Sequence, residues 1–166
     1  MGDRGLTDLT LPVPCTVLER LLSMLPAGGE AEIRLVGHDT GVALSGQIGE
    51  IAHDPDPSWN AIDDAWRELG LGRLSRSAPG PGLMEIVLEE SGIPSGSPDF
   101  VQGLLEGLIE SLVSEPVRAA AVADTIDDPE VDQFHFVVGA PELIARLQPG
   151  LDSGRSIADL MEEVWS

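Results

Sequence analysis

Lysine is missing from this chain of 166 residues, and arginine carries all of its basic charge. Nine basic residues stand against 29 acidic ones, a formal net charge of −20. Nucleic acid and anionic membrane surfaces would repel such a chain, which argues against both as partners. The acids are spread over every segment rather than run together. That spread reads as a chain-wide adaptation to a saline or high-GC background, not as a docking site for one basic partner. Cysteine is almost absent. Cys15 alone can form neither an intramolecular disulfide nor a cysteine-rich metal site. It stands before a predicted helix, where a thiolate is favoured, but no base accompanies it and an inert thiol is expected. Long apolar runs are lacking, so neither a signal peptide nor a membrane anchor is expected, and the expected location is cytoplasmic. MGDRGL carries Leu6 where a myristoylation signal requires Ser or Thr.

Catalytic motifs are equally scarce. There is no G-x-S-x-G, no Walker loop and no dinucleotide fingerprint. Gly80-Pro81-Gly82 is a turn, since proline removes the amide donors a phosphate cradle needs. Three histidines occur, His38, His53 and His135, with no pair at helical spacing. His38 reads as a boundary residue, His53 as a loop residue, and His135 as facing solvent or a covering helix. No catalytic residue and no metal ligand is assigned. The Glu85, Glu89 and Glu90 cluster reads as a solvated strand face rather than an acid–base pair.

What the chain does contain is apolar periodicity. It is 42% hydrophobic, enough to bury a core, and its mean hydropathy is slightly positive. Residues 1–12 read as a loose tail and 13–166 as a single domain. Thr16 to Glu19 forms a capping box before Leu18, Leu21, Leu22 and Leu25 at helical spacing. Further helices are expected from about Glu30 to Ile48, from Ser58 to Leu69 and from Pro98 to Val113. Alternation predicts strands at Arg73–Ser77, Leu83–Glu89, Val117–Ile126 and Val131–Val138. Helices at Pro141–Leu147 and Ser156–Trp165 close the chain. Two hairpins joined by a helix predict an α+β domain: one four-stranded antiparallel sheet with helices packed on one face.

Two helices carry glycines despite a cost of about 1 kcal/mol for each relative to alanine. Gly37, Gly41 and Ser45 recur every fourth residue beside one apolar stripe, and Gly103, Gly107 and Ser111 beside another. Such a rail either lets another backbone come close or leaves open volume.

These residues resemble a known family. Val36-Gly37-His38-Asp39-Thr40-Gly41-Val42-Ala43, Leu69-Gly70-Leu71-Gly72-Arg73-Leu74 and Phe100-Val101-Gln102-Gly103-Leu104-Leu105-Glu106-Gly107-Leu108 are similar, in order and spacing, to motifs of the 4-vinyl-reductase domain. Pro116-Val117, Asp127-Asp128-Pro129 and Phe134-His135-Phe136 resemble its closing hairpin. The likeness covers roughly residues 14–140, so the helices from about 140 are additions to the common core. That family includes a bacteriochlorophyll-synthesis protein, hydrocarbon-binding proteins and aromatic-responsive sensor domains, and it is related in fold to TRAPP subunits. The resemblance implies binding of a hydrophobic small molecule, a tetrapyrrole or an aromatic hydrocarbon, by an accessory or sensor protein. The implied pocket has Gly37, Gly41, Gly103 and Gly107 shaping it and Leu18, Leu22, Trp66, Leu104, Leu108 and Phe136 as its wall. Many members hold zinc with three cysteines. The matching positions here are Pro98, Ile126 and Phe134, which offer no donor, so no metal or other cofactor is expected. The alternatives are a TRAPP-like interaction module, assembling as a homodimer or adaptor through the glycine rails, and, least supported, a pigment-synthesis enzyme.

Overall fold

A computed structural model describes residues 29–52, 58–68, 71–90, 98–122 and 133–166. The predicted helix at 16–25, with Leu18 and Leu22, lies outside the described residues, as do Cys15, His53 and Ile126. The chain runs α1 (Glu30–Ala52), α2 (Trp59–Glu68), β1 (Arg73–Gly80), β2 (Leu83–Glu89), α3 (Pro98–Val113), β3 (Arg118–Ala121), β4 (Gln133–Gly139), α4 (Pro141–Asp152) and α5 (Ile157–Trp165).

The four strands form one antiparallel sheet in the order β1-β2-β4-β3, the α+β architecture that the two hairpins imply. Pro81 and Gly82 turn β1 into β2. Gly82 has φ +70°, the left-handed value that the third residue of a type II turn demands. Alternation sets the two faces. Leu74, Leu88 and Phe134 lie in register across three strands, as do Arg76, Ile86, Phe136 and Ala121. This face meets α1, α2 and α3 and holds the main core, including Ile48, Trp66, Phe100, Leu105 and Leu108. Phe134 and Phe136, two residues apart on β4, stack at 6.1 Å between centroids and pack into the main core with Ile86 and Leu88 of β2.

The helices do not all take one face. The C-terminal pair lies on the other, where Leu83, Ala120, Val122 and Val137 pack with Ile144, Leu147, Leu151, Leu160 and Met161. The single-face expectation followed from two hairpins joined by a helix. Val137 and Ala120 are as buried as Phe136, so these strands are greasy on both sides. Boundaries also move, and α1 runs on to Ala52 rather than ending near Ile48. β1 continues to Gly80 across a register shift after Ser77, with Pro79 in the irregular stretch. α4 continues through Pro149 to Asp152. Its last turn is retained because Gly150 and Leu151 are buried, with the Leu160 side chain lying against Gly150.

Candidate ligand-binding groove

The glycine rails come together in one seam. A Cβ on Gly37 would collide with the Phe100 carbonyl oxygen, and one on Gly41 with that of Leu104. Reciprocally, a Cβ on Gly103 would strike the Arg34 carbonyl and one on Gly107 the His38 carbonyl. Both sets of contacts ascend together, so α1 and α3 run parallel with their backbones almost touching. Backbone of the opposite helix fills the space that the missing side chains leave, and no cavity lies there. Close approach is the gain that offsets the helix-propensity cost of the glycines.

Polar side chains lock the seam from one side. Arg34 donates from Nε to Glu106 Oε2 at 3.1 Å, from Nη2 to Glu106 Oε1 at 2.5 Å and from Nη1 to Gln102 at 2.5 Å. The Glu106 side chain is only 4% exposed. One turn on, His38 Nε2 meets Glu110 Oε2 at 2.8 Å. The same groups cover the outer edge of β3. Ala119 N–H donates to Glu106 at 2.9 Å, Ala119 C=O accepts from Arg34 at 2.8 Å, and Val117 N–H donates to Glu110 at 3.1 Å. An arginine–glutamate pair thus does what a fifth strand would do, and an exposed β edge is closed.

The other described residues predicted to line a pocket are core. Trp66, Leu104, Leu108 and Phe136 are at most 3% exposed and belong to one close-packed cluster. Trp66 Nε1 donates to the Leu71 carbonyl at 3.0 Å, which satisfies its polar atom. None of these residues lines the groove or the cleft that lie at the turn end of the sheet.

Open space lies elsewhere, at the turn end of the sheet. There an apolar groove of about 400 Å³ runs between the last turn of α3 and the β1–β2 turn. Met84 and Val138, paired across β2 and β4, form its floor. Ile109 and Val113 form one wall, Pro116 and Val117 the end, and Ala78 and Gly80 the far rim. Val113 is 47% exposed, unusual for a valine at the end of an otherwise buried helix face. A polar cleft of about 460 Å³ adjoins it, lined by Trp59, Asn60 and Asp63; Arg76, Ser77 and Ala78 line both. The Arg76 guanidinium lies 4.8 Å from the centroid of the Trp59 ring.

The sheet's second face carries the one grouping of hydroxyl, carboxylate and imidazole among the described residues. Ser77 Oγ donates to Glu85 Oε2 at 2.5 Å, and His135 Nε2 meets Glu85 Oε1 at 2.5 Å. The carboxylate sits in the middle. A nucleophilic serine needs the imidazole against its hydroxyl, so this order does not build an acyl-transfer triad. Glu85, expected on a solvated face, is half-buried and tied on both oxygens. No group of three potential metal ligands occurs among the described residues. Pro98 and the buried Phe134 offer no donor atom, so the zinc of the resembled family has no fitting residues there. No described helix is long and apolar enough to cross a membrane.

Sequence reasoning missed the groove and the polar lock. The lock had a signal: Arg34 and His38, like Glu106 and Glu110, are four apart and flank the glycines of their own helices. The groove had a fainter one, a valine on each side of a Ser-Glu-Pro turn.

No family model and no curated protein matches the chain. Among solved structures it is similar to a vinyl-4-reductase family protein from Methanocaldococcus jannaschii, with 14% identity, 74% of this chain and 73% of that one covered, and a TM-score of 0.47. At this identity the likeness assigns neither ligand nor reaction.

Proposed function

We propose that the protein binds a small apolar molecule in the groove at the end of α3. The observation that carries this reading is the groove itself: an apolar concavity walled by Ile109 and by a valine left 47% exposed at the edge of a close-packed domain. Its volume of about 400 Å³ is at the small end of ligand pockets, which span roughly 300–1,000 Å³. A ligand of one or two rings suits it better than a tetrapyrrole. The protein acts by holding the molecule, as an accessory or sensor does. Val113→Trp should fill the groove and abolish uptake of a small aromatic such as 3-phenyl-1-propanol, read by calorimetry, while the domain stays folded. Undiminished uptake by this variant refutes the groove as the site. Gly107→Leu is not a useful probe, because it would wedge apart the α1–α3 seam.

A second reading has its own observation. Leu35, Val36 and Val42 on α1 are 61%, 48% and 45% exposed. They favour a homodimer or adaptor contact through the side of α1 facing away from α3, since the glycine rails themselves are used up within the chain. A monomer in light scattering, unchanged by Val42→Glu, removes the homodimer.

A further inference from the structure

Cations are scarce in this chain, and most of those described lie against an acid. Arg34, Arg67, Arg73, Arg118 and Arg155 each have a carboxylate partner. Arg76 has none among the described residues. It rests instead on Trp59 and borders both the apolar groove and the polar cleft beside it. A guanidinium lying over an indole uses its face and keeps its N–H edge for an acceptor, and that edge matches a carboxylate in two parallel hydrogen bonds.

Resting on the groove reading above, we propose that the ligand is an amphipathic anion, a small aromatic or aliphatic carboxylate. Its apolar body lies on Met84, Ile109 and Val113, and its carboxylate meets Arg76. The neighbouring acids do not cancel this charge. Asp63 is held by Arg67 at 2.7 Å and by the Leu74 amide at 3.3 Å. Glu85 is held by Ser77 and His135. Glu115 remains on the groove rim, in an exposed turn without an aromatic anchor. The chain's overall charge of −20 repels an anion at long range. At physiological salt that field is screened beyond about 8 Å, whereas Arg76 acts at contact.

The test compares 3-phenylpropionate with 3-phenyl-1-propanol, of nearly the same shape, by calorimetry on the full chain at physiological salt. The carboxylate should bind about tenfold more tightly than the alcohol, the scale of one charge-assisted contact. Arg76→Gln should bring the carboxylate down to the alcohol's affinity, and the alcohol binding that remains reports an intact groove. Arg76→Lys should restore part of it. Arg146→Gln, at the other described arginine without a carboxylate partner, should change neither ligand. Equal binding of the two probes by the unmodified protein, or an advantage that survives Arg76→Gln, overturns the anion assignment and leaves the groove standing. Failure to bind either probe, or alcohol binding that survives Val113→Trp, overturns both.

Discussion

The two stretches of α3 continue one apolar stripe and meet opposite fates. From Phe100 to Leu108 the helix lies against α1 so closely that glycine is the residue that fits at 103 and 107. At Ile109 and Val113 the same stripe runs past the end of β3 and borders open space. Apolar character is therefore common to the part that stabilises the fold and the part that borders the groove. The difference lies in what stands opposite. Backbone faces the first stretch, and a turn and a sheet end face the second. A close-packed interior has no room to spare, so open volume appears where the secondary structure stops.

Substitutions should separate the two stretches sharply. The largest effect is expected at Gly103→Ala, where a methyl group would be driven into the Arg34 carbonyl. Overpacking against backbone should cost about 3 kcal/mol or more, read as a lower urea midpoint, even though alanine is the better helix former. A near-neutral result would mean that the seam is looser than described. Next comes Glu106→Ala, which strands Arg34 and uncovers the β3 edge. A loss of about 2–3 kcal/mol is expected, less than for a fully buried pair because the Arg34 side chain is 24% exposed. Replacing both partners with apolar residues should recover much of that stability but leave β3 prone to edge pairing, visible as concentration-dependent association. The smallest effect has the opposite sign. Gly46, on the same helix as Gly37 and Gly41, has nothing within 4 Å of a Cβ. Gly46→Ala should therefore stabilise by about 1 kcal/mol. If Gly46→Ala and Gly41→Ala behaved alike, propensity and not packing would govern these glycines.

Much of the architecture was legible because it rests on periodicity. The alternation of Met84, Ile86 and Leu88, and the regular stripe of α3, place both elements without reference to anything distant. The mating of the rails was half legible. Glycines every fourth residue announce a close approach, but spacing alone does not tell a backbone from a void, and the reading as pocket walls chose the void. Core and pocket wall also share one signature, which is why Trp66, Leu104, Leu108 and Phe136 could be proposed as lining and prove to be solid core. The groove is a tertiary feature. It needs the end of α3, the β1–β2 turn and the start of α4 to stop near one another, and no local pattern encodes that. Arg76 sits in a strand that alternates only weakly. Its setting depends on Trp59, on a separate helix, and on its having no carboxylate partner among the described residues.

Methyl NMR of the isotope-labelled full chain, titrated with 3-phenyl-1-propanol, tests the central claim most directly. Shift changes confined to Met84, Ile109, Val113, Val117 and Val138, with Leu104 and Leu108 unmoved, are the predicted result. Saturable changes at Leu104 and Leu108 with Val113 silent would place the ligand between α1, α3 and the sheet, and would contradict a closed glycine seam.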